Sequence, residues 1–396
     1  MPPLLSIDEA LSLVLEHARP LGADPVPIER AAGRFLAEDV HAGVDLPPFR
    51  SSAMDGFALR AADTPGSLPV VARIPAGRPA ALALRAGEAM GIATGGTVPE
   101  GADAVVPIEL VEDRGDVVEV TAGVDFSANV RDKGSDLRSG DLLLSSGSRL
   151  GPAQIGALAA AGLAEVRCGR RPQVAVLSTG TELRRPGAPL GPGEIYESNA
   201  SMISAALAAA GAEVTRLEPV ADEPGLHRAA LERGLEADLL VSSGGVSVGP
   251  HDLVREIGAE LGIDQIFWGV AVKPGKPLAF GRRDATLVFG LPGNPVSALV
   301  AVELFVRPAV LAQQGASEPA PAYLTGRLAA PLRASAARDQ LVRARSRIED
   351  GEIVLEPLSG QESHMIARAA SADVLVLVRR GERDPVAGDR LPFLRL

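Results

Sequence analysis

The run QVAVLS at residues 173–178, followed at once by TGTE at 179–182, decides the fold. An unbroken apolar run bounded by Pro172 and by a turn glycine, Gly180, reads as a strand buried on both faces. Working outward, residues 200–210 carry a buried helix ended by Gly211 and 213–220 a strand. Residues 226–235 form a helix and 238–242, DLLVS, a second buried strand. Residues 251–261 read as helix, 286–289 as strand and 296–313 as a long helix. Strands alternating with helices of this length predict a parallel α/β sheet covered on both faces, spanning residues 172–316. Ligands bind such sheets beyond the carboxyl ends of the strands, where every Gly-rich loop of this segment falls.

The flanking sequence has another character. Ser6 and Glu9 make a capping box before Leu11, Val14 and Leu15 at helical spacing. A helix at 152–161, stopped by Gly162, precedes a strand-like 164–167. Its expected partner is the N-terminal helix, which gives a discontinuous N-terminal and linker domain, residues 1–45 and 140–171. Residues 46–139 hold short apolar runs broken by Gly, Pro and Asp, a small, mainly β domain. Residues 317–396 read as a C-terminal β domain, with strands at 341–347, 353–358, 374–378 and 392–394.

Composition narrows the function. The chain has 396 residues, a formal net charge of -11, and 46% hydrophobic but only 3% aromatic residues, so its cores rest on Ala, Val and Leu. An acidic chain is poorly suited to nonspecific nucleic-acid binding. No apolar run reaches the roughly 20 residues of a membrane span. The single cysteine, Cys168, excludes an internal disulfide and a multi-cysteine zinc site. A start without the basic and apolar regions of a signal peptide gives cytoplasm as the expected location. Of 39 basic residues only Lys133, Lys273 and Lys276 are lysine, and the only asparagines are Asn129, Asn199 and Asn294. Where arginine serves for general positive charge, a retained lysine points to a need for a compact point charge.

Four loops carry the chemistry of the α/β segment. SSGGVSVG at 242–249 offers adjacent glycines and hydroxyls, so that backbone amides of Ser243, Gly244, Gly245, Ser247 and Gly249 can approach a phosphate. It lacks the Lys-Ser/Thr ending of a P-loop. Thr179, Gly180 and Glu182 place a hydroxyl, a turn and a carboxylate at the end of the first strand. Glu194 and Glu197 flank the same loop, and Ser198 or Asn199 can cap the next helix. Pro292, Gly293, Asn294 and Pro295 form a stiff link between strand and helix. KPGKP at 273–277 holds two lysines in a rigid turn, a costly arrangement unless an anion lies beside them. Outside this segment Asp55, Thr94 and residues 129–136, with Asp136, form a second set of anion- or metal-handling loops. His17 and His41 have no ligand spacing; His251 and His364 adjoin motif residues without a histidine partner. No Ser-His-Asp order or nucleophilic Cys context occurs.

These motifs together resemble the molybdopterin molybdenumtransferases, the family that includes the C-terminal domain of gephyrin. The matching runs are SAMDGFAL (52–59), TGGTVPEGADAVV (94–106), NVRDKGSD (129–136), STGTEL (178–183), SSGGVSVGPHD (242–252), KPGKP (273–277), GLPGNPVSA (290–298) and QESHMIARAASAD (361–373). The resemblance implies a multidomain α/β plus β protein that inserts molybdenum from molybdate into adenylylated molybdopterin, releasing AMP with help from Mg²⁺. It implies a homodimer whose active site is shared between the α/β domain of one subunit and the small β domain of the other, and transient contact with other proteins of the same biosynthesis. Carried over residue by residue, Asp55, Thr94 and Asp136 fall on the partner-facing side. Glu182, Asp252, Lys273, Lys276, Pro292 and Pro295 fall on the α/β side. Asp55, Glu182 and Asp252 are the expected Mg²⁺ ligands, the lysines hold molybdate or phosphate charge, and Arg343 and Ser363 approach the site. Some members carry lysine where this chain has Gly269. The alternatives are an adenylyltransferase acting on molybdopterin, which usually consists of the α/β domain alone, and a non-catalytic scaffold.

Overall fold

The computed structural model describes residues 4–244 and 253–396. Its central sheet has six strands: β1 Gln173–Ser178, β2 Glu213–Arg216, β3 Leu239–Ser243, β4 Asp264–Trp268, β5 Ala279–Arg283 and β6 Thr286–Leu291, in the order 2-1-3-6-5-4. Strands β2, β1, β3 and β6 are parallel, whereas β5 runs antiparallel to both β6 and β4. The sheet is therefore mixed rather than wholly parallel. The reversal comes from a tight turn at Asp284, which adopts φ 53 and joins Arg283 to its register partner Thr286.

Alternation along the buried strands supplies two cores. Val174, Val176, Leu239, Val241, Leu287 and Phe289 face one way, against helices Ile7–His17 and Asn199–Ala209 and the continuous helical run 295–313. Ala175, Leu177, Leu240 and Val288 face the other, against Pro224–Gly234 and Leu253–Glu260. The run 295–313 is the one helix among the described residues long and apolar enough to cross a membrane, and 72% of its most apolar window is buried in the protein. Its middle turn, Val302–Val306, is π-helical.

The N-terminal helix Ile7–His17 belongs to the first of these cores rather than to a layer with Pro152–Ala160. The latter helix instead covers Val26, Ile28, Leu36, Val166 and Cys168, where Ala23–Pro27 pairs antiparallel with Glu165–Gly169. Two separated stretches thus meet through a sheet. The apolar stripe of the helix at residue 7 is visible in sequence, but the partner it packs on is not.

The small β domain is a six-stranded sheet with separate cores on its two faces, centred on Phe57 and Leu59 on one and on Ala58 and Met90 on the other. The C-terminal domain closes into a barrel of Leu324–Leu328, Asp339–Glu349, Glu352–Pro357, Val374–Val378 and Arg390–Arg395. Closure removes sheet edges. One short strand, Val272–Lys273, leaves the α/β domain and pairs parallel with Asp339 and Gln340 of the barrel.

Candidate active-site cleft

The order 2-1-3 reverses direction between β1 and β3, and the crevice at such a switch point is where open α/β sheets receive ligands. Here it is a cleft of about 1150 Å³. Thr179 N–H donates to Ser243 O at 3.0 Å, carrying the β1–β3 pairing one residue past the strands. Gly244 then turns with φ +96, and a Cβ there would stand 2.5 Å from Thr179 O, so only glycine lets the two loops touch. Gly180, with Glu182 beyond it, opens the other lip.

Two buried polar side chains set the floor. Glu197, 2% exposed, accepts from Ser178 Oγ at 2.9 Å, from Ala200 N–H at 2.6 Å and from Arg216 Nη2 at 3.3 Å. It therefore caps the helix Asn199–Ala209, a role expected of Ser198 or Asn199; Ser198 makes no side-chain cap bond. Asn199 is freed for the cleft: its Nδ2 donates to Ser243 Oγ at 2.8 Å and to Gly293 O at 2.7 Å. Its Oδ1 and the Thr179 hydroxyl, both buried, have no hydrogen-bond partner among the described residues. Buried polar atoms are normally satisfied, so these two lining groups are suited to a bound molecule.

Gly293, Asn294 and Pro295 form the third wall, and the Pro292 carbonyl accepts from Ser243 Oγ at 3.3 Å. The barrel supplies the fourth. Asn294 Nδ2 donates to Ser363 Oγ at 2.9 Å, and Val296 N–H to Ser363 O at 3.0 Å. His364 and Ile366 line the cleft from this loop. Arg343 was expected at the site, but it is 1% exposed and committed beneath the loop. Its guanidinium donates to the Gly360, Glu362 and Met365 carbonyls and to Gln361 Oε1. Burial pushes its pKa down, with Glu362 opposing.

Other expected residues lie elsewhere. Lys273 is exposed and Lys276 half-buried, and neither lines the cleft. Their turn lies beside Ser297, whose carbonyl is 3.5 Å from where a Cβ on Gly275 would be. Among the described residues neither lysine has an ion-pair partner, whereas Lys133 pairs with Asp45 at 3.1 Å. Gly269 has φ +89, and a Cβ there would meet the Leu4 side chain at 2.7 Å, so a lysine would be strained in this backbone. Asp55 sits in the small β domain, where its Oδ1 accepts from Thr94 N–H at 2.6 Å and Thr94 Oγ at 3.0 Å. These bonds, the backbone one first, hold its pKa below the usual carboxylate range. Asp136 is exposed, its N–H donating to Leu46 O at 2.9 Å. Asp55, Thr94 and Asp136 are not among the residues lining the cleft. Gly245, Ser247, Gly249 and Asp252 lie outside the described residues. The sequence reading passed over Asp222 and Tyr196, both lining the cleft, and gave Glu197 and His364 no role in it. Only Glu197 had a local signal, a carboxylate three residues before Ala200 at a helix start.

A mixed α/β sheet with a polar, glycine-built cleft at its switch point, walled by a β-barrel and carried with two further small domains, defines a multidomain ligand-binding α/β protein. Three family models match it in succession: the MoeA N-terminal region (domain I and II) at residues 5–162, a probable molybdopterin binding domain at 175–312, and the MoeA C-terminal region (domain IV) at 325–396. Molybdopterin molybdenumtransferase 2 of Mycobacterium tuberculosis is 37% identical over 401 residues, covering 98% of each chain. The molybdopterin molybdenumtransferase of Haemophilus influenzae is 34% identical, covering 99% of this chain and 100% of its own. The crystal structure of a molybdopterin biosynthesis MoeA protein from Pyrococcus horikoshii superposes with a TM-score of 0.86 at 26% identity, covering 99% of this chain and 100% of its own. The chain belongs to the molybdopterin molybdenumtransferase family.

Proposed function

We propose that this chain is a molybdopterin molybdenumtransferase of molybdenum-cofactor biosynthesis, which takes molybdate and adenylylated molybdopterin and releases AMP. The observation that carries the reading is the cleft between β1 and β3, where the tight Thr179–Gly244 contact and two buried oxygens without a partner among the described residues create a polar seat. Backbone amides and hydroxyls at the strand ends suit the phosphate of the substrate. The Asn199 Oδ1 acceptor suits a ring N–H or amino group. Lys273 and Lys276, without ion-pair partners among the described residues, offer compact positive charge to molybdate.

The small β domain joins this account through a second subunit. We propose a homodimer in which Asp55, Thr94 and Asp136 of one subunit face the cleft of the other. Of the expected Mg²⁺ ligands, Asp252 lies outside the described residues, Glu182 lines the cleft and Asp55 is engaged by Thr94 in another domain; among the described residues no three His, Cys, Asp or Glu side chains cluster. Mixing inactive Asp55→Ala and Lys273→Ala subunits tests the shared site: partial recovery of activity is expected, and none after verified subunit exchange overturns the arrangement.

A further inference from the structure

The cleft takes an anion in the reading above, yet its described lining contains no lysine or arginine. Its titratable side chains include the carboxylates of Glu182, Glu197 and Asp222. Glu197 is offset by Arg216, but Glu182 and Asp222 have no ion-pair partner among the described residues. An entering phosphate therefore meets unfavourable charge from the described lining.

One lining residue can oppose that charge. We infer that His364, carried into the α/β cleft by the C-terminal barrel, is a substrate-contact residue that binds a phosphate of the substrate. It is the one described lining side chain able to carry positive charge, and it is exposed to the cleft. Its position is fixed from both sides. Ser363 is held to the α/β domain by Asn294 Nδ2 and Val296 N–H, and the Met365 carbonyl accepts from Arg343 Nη1 at 3.0 Å. A buried guanidinium bonded to four acceptors of one loop makes that loop a rigid support. This gives Arg343 its role: it holds the loop and leaves recognition to the imidazole. The same arrangement gives the barrel domain a part in the cleft, since it supplies the one described lining side chain able to carry positive charge.

The inference rests on the proposed substrate class, so binding is measured beside turnover. AMP and adenylylated molybdopterin are titrated calorimetrically at pH 6 into the full-length chain and into His364→Ala, His364→Gln and His364→Lys. Removal of the imidazole is expected to weaken binding about tenfold, the scale of one hydrogen bond to a charged group. His364→Lys restores it and His364→Gln does not. Weaker binding of AMP assigns the contact to the adenylyl phosphate; weakening confined to adenylylated molybdopterin assigns it to the pterin-side phosphate. In turnover, KM rises with kcat within about twofold. Unchanged affinity for both probes in His364→Ala overturns the inference. Loss of binding in His364→Ala beside a wild-type chain that binds but never turns over faults the assigned reaction and leaves His364 in place.

Discussion

Asn199 Nδ2 lies 2.8 Å from Ser243 Oγ and 2.7 Å from Gly293 O, so one amide joins all three loops that end at the sheet's switch point. Asn199→Asp keeps the size but replaces the donor with an acceptor facing a carbonyl. Loss of a buried hydrogen bond with its partners left unsatisfied costs about 1–3 kcal/mol. Urea unfolding is expected to show that loss together with reduced turnover, whereas unaltered stability would remove Asn199 from its role as a tie.

Gly244 is predicted to tolerate no side chain. With φ +96 and a Cβ position 2.5 Å from Thr179 O, Gly244→Ala must separate the β1 and β3 loops. Backbone strain of this kind costs about 1–3 kcal/mol. Thermal unfolding should fall accordingly and AMP binding should weaken. Gly225→Ala, exposed in the same domain with nothing within 4 Å of its Cβ position, is the control.

Asp55 titrates low because Thr94 donates twice to its carboxylate. A depressed pKa contributes stability that is present above the unfolded value, about 3.9, and is lost as pH falls through the lower folded value. The contact between Asp55 and Thr94 is thus intact at neutral pH and released only in strong acid. Carboxyl NMR of Thr94→Ala should raise the Asp55 pKa only part of the way, since the backbone N–H makes the larger contribution and remains. A full return to the ordinary value would contradict that ordering.

Lys273→Arg keeps the charge but replaces a point cation with a planar fork. Its backbone is tied to Gln340 of the barrel, and its side chain is exposed without an ion-pair partner among the described residues, so folding should be unaffected. Molybdenum insertion is expected to fall about tenfold or more in kcat/KM, the loss of roughly 1.4 kcal/mol of transition-state binding. Full activity would mean that any cation suffices there.

The buried parallel strands were legible because QVAVLS at 173–178 and DLLVS at 238–242 must be covered on both faces whatever their neighbours. β4 and β5 were not. Gln265 and Arg282 interrupt them with exposed polar residues, and the turn at Asp284 from β5 into β6 reaches a positive φ without glycine. The glycine loops of the cleft were readable as anion-handling segments, since glycine permits close backbone approach. Arg343 and Glu197 are different: their functions depend on burial among carbonyls and at a helix start, which only tertiary packing reveals. KPGKP showed its lysines in sequence, but not that the turn lies beside Ser297, outside the cleft lining.

Molybdate-dependent release of AMP from adenylylated molybdopterin is the most direct measurement. The account predicts AMP and a molybdenum-bearing pterin in equal amounts from the purified chain, with release dependent on molybdate. Adenylylation of molybdopterin by ATP, with no molybdate-dependent AMP release, would contradict it and identify the α/β domain as an adenylyltransferase.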